Sequence, residues 1–136
     1  MKMSDLALAL LRIVPGLLLF FFHGQSKLVS AFSYVVSGTE WRFIEGVGKL
    51  GFPAPAFFAV CAALAEGVGS LLLVAGLFTR YASIFICFTM LVATYRHATT
   101  DMRYELAAVY AVISFAFIFL HPGKISLDAA WRKRKQ

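Results

Sequence analysis

Residues 52–78 read FPAPAFFAVCAALAEGVGSLLLVAGLF, an apolar run broken by a single charge, Glu66, and opened by Pro53 and Pro55. Proline suits a helix entrance, where its missing N–H is not needed, and is unfavourable in a helix interior. The run is long enough to cross a bilayer with some tilt. It lacks the period-two alternation of a barrel strand, so a transmembrane helix is predicted.

Three more runs lie on either side of this one. Leu6 to Phe22 carries one charge, Arg12. Val29-Ser30-Ala31 resembles a signal-peptidase site, but Arg12 breaks the apolar stretch near its middle, so this run is predicted to be a retained span. Tyr81 to Tyr95 and Leu106 to Leu120 have only 15 uncharged residues each. They reach across if Arg80, Arg96, Arg103 and Glu105 sit in the interfaces, where long side chains snorkel. The predicted fold is an all-α membrane protein, a bundle of four transmembrane helices over 5–23, 54–78, 79–97 and 104–121, with a basic tail over 122–136.

Composition agrees. The 136 residues are 60% apolar and 15% charged, with a mean hydropathy of +0.78; soluble domains run at about 45–50% and 25%. Seven acidic residues against fourteen Phe leave too little polar surface to coat a water-facing sphere. The lipid bilayer is the expected partner.

The formal charge of +6 comes from residues at segment ends and in a tail, Arg132 to Lys135, with no aromatic-interleaved basic face. Nucleic acid is therefore not expected, whereas anionic lipid headgroups suit the tail. Lys2, Arg80, Lys124, Arg132, Lys133, Arg134 and Lys135 fall on one side, and Lys27, Arg42, Lys49, Arg96 and Arg103 on the other. The first side is predicted cytoplasmic, with both termini inside.

Between the first two spans, Leu28, Val29, Phe32, Val35 and Val36 share one helical face. A short interfacial amphipathic helix is predicted over 25–37, with Trp41 and Phe43 at headgroup level; a helix tucked against the bundle is the alternative. Cys61 and Cys87 lie inside apolar runs, form no CxxC, and read as packing residues.

Arg12 and Glu66 are the most informative residues, because a charge near mid-span costs several kcal/mol. Each lies eleven residues from the predicted outer edge, counted from His23 and from Pro55. A buried pair is predicted, serving either as a structural clasp or as a quinone or proton site, with separate unpaired roles as the remaining alternative. A second group gathers at the predicted outer face: His23, Lys27, Arg96, His97, Asp101 and Glu105. Such a set suits a metal, an anion or a proton shuttle, although interfacial histidines are more often amphipathic fillers, and no metal is expected. Gly67, Gly69, Ser70, Ala75 and Gly76 would let another helix approach closely.

The same residues carry a family resemblance. Arg12, then HGQSKL at 23–28, GFPAP at 51–55, AEG at 65–67, GLFTR at 76–80 and PGKISLD at 122–128 follow the order and spacing of the DoxX family, over nearly the whole chain. The resemblance implies a four-helix bacterial inner-membrane protein of oxidoreductase type. It also implies a link to a quinone or to a partner redox protein, as in a membrane subunit of thiosulfate:quinone oxidoreductase. Carried over by position, its functional residues would be Arg12, His23, Lys27, Glu66 and Arg80.

The leading expectation is a quinone-linked oxidoreductase subunit or redox-complex component. Arg12, Glu66, His23 and Lys27 would be catalytic, with Arg80, Arg96, His97, Asp101 and Glu105 at the substrate. The rivals are a membrane scaffold that recruits a partner and a small-solute transporter; a homo-oligomer is compatible with all three.

Overall fold

The structure, a computed structural model, describes residues 2–134; Met1, Lys135 and Gln136 lie outside the described residues, so the last part of the expected basic tail does too. All regular elements are helical: α1 Met3–Leu19, α2 Gln25–Ser37, α3 Arg42–Lys49, α4 Pro55–Leu64, α5 Ser70–Ala75, α6 Thr79–Thr100, α7 Glu105–Phe119 and α8 Leu127–Arg134. Single turns of π-helix, Phe20–Gly24 and Ala65–Gly69, join α1 to α2 and α4 to α5.

Burial runs opposite to that of a soluble domain. The inward face of α1 is Asp5, Ala9, Arg12, Gly16 and Leu19, at alternating spacings of four and three. Its outward face shows Leu10, Leu11, Val14 and Leu18 to the surroundings, continued by Phe21 and Phe22 of the π-turn. The bundle encloses Arg12, Glu66, Ser70, Thr79, Ser83 and Ser114 while presenting Phe85, Phe88, Val112, Phe115 and Phe119 outward. Water would penalise that surface; lipid matches it, and small or polar residues between helices are how membrane bundles associate.

Met3–Ser37, which is helical throughout, and Pro55–Ala75 are each long and apolar enough to cross a membrane, and α7 is a shorter apolar helix. The expected helix over 25–37 is present, but it does not follow a break at His23. The chain stays helical through the π-turn, making about 52 Å of helix at 1.5 Å per residue against roughly 30 Å of hydrocarbon core. Val29, Phe32, Val35 and Val36 remain exposed on α2, while Leu28 turns inward against Gly67.

α1 runs antiparallel to α4–α5. A Cβ at Gly16 would lie 2.7 Å from Val74, and one at Gly24 would overlap the Glu66 backbone. The two π-turns thus meet backbone to backbone. Opposite them, α6 and α7 form an antiparallel pair, and Leu19, Leu73, Ile86, Met90, Tyr110 and Phe117 fill the centre. The α5 terminus is a Schellman stop: Gly76 adopts φ +67° and the Leu77 N–H reaches the Leu72 carbonyl.

Candidate functional site

Glu66 is 1% exposed and sits in the second π-turn. The widened turn displaces local carbonyls, and the Ser70 hydroxyl answers with a shared bond to those of Glu66 (2.5 Å) and Gly67 (2.7 Å). π-turns of this kind are frequent at functional sites because the extra residue re-aims the side chains around it. Lys27, one turn beyond the first π-turn, brings its Nζ 2.5 Å from Glu66 Oε1. The same ammonium lies 4.7 Å from the centroid of the Phe43 ring, a cation–π contact that holds it from the other side.

This pair lines a cavity of about 340 Å³ whose walls include Phe43, Phe52, Phe57, Phe58, Phe85 and Phe88. Phe57 and Cys61 on α4 and Phe85 and Phe88 on α6 are exposed as well as lining it. The cavity therefore opens sideways between α4 and α6, on the apolar surface. α3 closes it from one side with Phe43 and Val47, helped by Leu50 just past its end, and Arg96 lies against Gly46 of the same helix.

A second cavity of about 190 Å³ adjoins the first. Lys27, Glu66, Ala93 and His97 line both, and the second adds His23, Arg103 and Tyr110. His97 Nδ1 lies 3.0 Å from Asp101 Oδ1, in the turn that follows α6. The Arg103 N–H and the His97 ring both bond the Asp101 carboxyl, which holds it below the usual carboxylate range, the Arg103 bond being the larger cause. Glu105 is exposed in the first turn of α7, where an acidic side chain complements the helix dipole. Among the described residues, no three His, Cys, Asp or Glu side chains converge as a metal site.

Arg12 belongs to a different construction at the other end of the bundle, and the expected Arg12–Glu66 pair is not formed. Its Nη1 donates to the Pro122 carbonyl (3.0 Å) and its Nη2 to that of Ile125 (2.7 Å). Gly76 leaves the space the guanidinium fills; any Cβ there would overlap it. From the tail, Asp128 accepts the N–H groups of Phe78 (2.9 Å) and Thr79 (3.0 Å), capping α6, and its own N–H bonds Gly76. The sequence pieces at Arg12, 76–80 and 122–128 are one lock. Arg80 is exposed beside it, far from the cavities.

Four of the expected outer-face residues, His23, Lys27, Arg96 and His97, thus line the cavities, and Glu66 joins them in place of Arg12. Of the six Phe, Phe43 was expected at headgroup level and not at a cavity; the other five were not singled out from the sequence, nor was Tyr110. A signal existed: Phe85, Phe88, Val92 and Arg96 fall at helical spacing on one face of α6.

These features define a small helical membrane protein with an aromatic side cavity abutting a buried ion pair. The chain belongs to the DoxX family, whose sequence model matches residues 7–98. It is also similar to an uncharacterized protein of Haemophilus influenzae, 31% identical over 124 residues, covering 79% of this chain and 89% of that one. No solved structure matches it.

Proposed function

We propose that the chain is a four-span inner-membrane subunit of a redox system and that the larger cavity binds a quinone. The observation that carries this reading is the cavity itself: six Phe in its walls, an opening on the apolar surface, and Lys27, Glu66, Arg96 and His97 at its edge. A quinone needs apolar walls for ring and prenyl tail and a few donors for its carbonyl oxygens, the usual division of labour in small-molecule sites. The residues present fit both needs. When bound, a quinone supplies two-electron, two-proton chemistry. Lys27 and His97 are the donors that would orient its carbonyls, the Phe walls exclude water, and Glu66 holds Lys27 in place. Electrons come from a partner redox protein.

In this reading α6 and α7 are the third and fourth spans. Lys2, Arg80, Lys124 and the α8 residues Arg132, Lys133 and Arg134 gather at the end that holds the Arg12 lock, so that end faces the cytoplasm and its anionic lipid headgroups.

The test is solvent extraction of the purified protein followed by mass spectrometry. Wild type is expected to carry quinone near one per chain, and Lys27→Met with Phe88→Ala to carry several-fold less. Equal carriage in both proteins would sink the reading. A small-solute carrier is the second reading, favoured by the two adjoining cavities; solute uptake by proteoliposomes without quinone would support it.

A further inference from the structure

The smaller cavity differs in kind from the larger. Six of its eleven lining residues are polar or charged: His23, Lys27, Glu66, His97, Arg103 and Tyr110. They come from both sides of the bundle: the first π-turn and α2, the second π-turn, α6, the turn after it, and α7. One end of the cavity is Arg103, exposed in the α6–α7 turn; the other is Glu66, 1% exposed inside the bundle. A cavity that offers water several polar partners can be hydrated, and 190 Å³ is room for about six waters at ~30 Å³ each. Lys27 uses one of roughly four acceptor sites on the Glu66 carboxylate, so the others are open to such contents.

We propose that the smaller cavity is a hydrated inlet leading from the Arg103 end to Glu66, with the Lys27–Glu66 pair as the partition between this water and the lipophilic cavity. A carboxylate reached by water on one side and facing an apolar site on the other can pass a proton between them. That use as a proton supply rests on the quinone reading; the inlet itself does not.

Thiol reactivity in lipid tests it, because methanethiosulfonates react with the thiolate and a thiol ionises only in contact with water. Cys61→Ala and Cys87→Ala remove the native thiols, and single cysteines are then placed at Ala107 and Met90 in the inlet wall and at Val112, 69% exposed on the outward side of α7. With 2-sulfonatoethyl methanethiosulfonate on nanodisc-embedded protein, Ala107→Cys and Met90→Cys are expected to react at least about 100-fold faster than Val112→Cys. Two inlet positions guard against one misfolded variant. Rates at both as slow as at Val112→Cys would overturn the inlet. Equal rates at native Cys61 and at Ala107→Cys would overturn the partition. A short-chain quinone is expected to protect Cys61 from a lipophilic maleimide and to leave Ala107→Cys unchanged. Unprotected Cys61 with a fast Ala107→Cys would remove the quinone and its proton supply, and leave the inlet.

Discussion

The Lys27 ammonium and the Glu66 carboxylate, 39 residues apart in sequence, meet at 2.5 Å beside two π-turns that touch through Gly24 and Gly67. Neither charge has another ionic partner within reach among the described residues. Removing one member leaves the other uncompensated in a part-buried site; in a fully buried pair that change typically costs about 3–5 kcal/mol, and water at the pair makes it less here. Lys27→Met and Glu66→Gln should each lower the midpoint of thermal unfolding in detergent, Lys27→Met more, since it strands the buried Glu66 carboxylate, whereas Glu66→Gln strands an ammonium that keeps some exposure. The double variant Lys27→Met with Glu66→Leu should recover much of the loss. Additive losses in the double variant would show that the two groups act separately.

The Arg12 lock makes a different prediction. Arg12→Met deletes two charge-assisted hydrogen bonds to buried or half-buried carbonyls, about 3 kcal/mol together. The segment from Pro122 to Asp128 should then detach, which limited trypsin digestion at Lys124 would detect as faster cleavage. Asp128→Ala, which uncaps α6, should give the same digestion pattern. Maleimide labelling of Cys61 should keep its wild-type rate in both, because the lock and the cavity lie at opposite ends. Loss of Cys61 reactivity in step with tail release would show that the two ends are coupled.

Arg12 and Glu66 stand out in the sequence because a charge inside an apolar run is visible by type alone. Their partners are not visible in the same way. Arg12 bonds backbone carbonyls, which carry no residue signature, and Lys27 reaches Glu66 only because α1 continues through a π-turn that sequence patterning does not distinguish from an α-helix. Counting inward from His23 assumes that a helix ends there. In the register set by Gly16 against Val74, Gly24 against Glu66 and Gly76 against Arg12, the two charges are about twelve residues apart along α1, roughly 18 Å. The helical, membrane-type fold is legible because lipid demands long apolar runs. The aromatic cavity is not, because its walls come from four separate segments, each of which alone reads as lipid-facing surface.

The His97–Asp101 contact predicts a pH dependence. The Asp101 carboxyl is held below its usual range, first by the Arg103 N–H and then by His97, so the folded state favours the carboxylate more than the unfolded chain does. Such a group stabilises fully above the unfolded value of about 3.9, and the contribution fades as pH falls through the lower folded value. The stability difference between wild type and Asp101→Asn should therefore narrow as pH falls below about 4. A difference that grows as pH falls below about 4 would contradict the assignment. The carboxyl is solvent-exposed, so the difference should also be small and reduced by salt.

The aromatic walls give the most direct reading of what the larger cavity holds. Cys61 is exposed at its mouth and Cys87 is buried elsewhere, so a lipophilic maleimide should modify one thiol per chain, at Cys61. Protection of that thiol by a short-chain quinone then measures binding without any assay of turnover. Each well-placed aromatic contact is worth about 0.5–1.5 kcal/mol beyond area burial, which is roughly 2- to 13-fold in affinity. Phe85→Ala and Phe88→Ala should weaken protection by factors in that range. Phe115→Ala, equally exposed on α7 but outside the cavity, should leave it unchanged. If all three variants shift protection alike, the quinone is partitioning into the surrounding detergent or lipid and shielding Cys61 from there. If Phe85→Ala and Phe88→Ala alone weaken it, the ring is held between α4 and α6, next to the Lys27–Glu66 pair that would orient it.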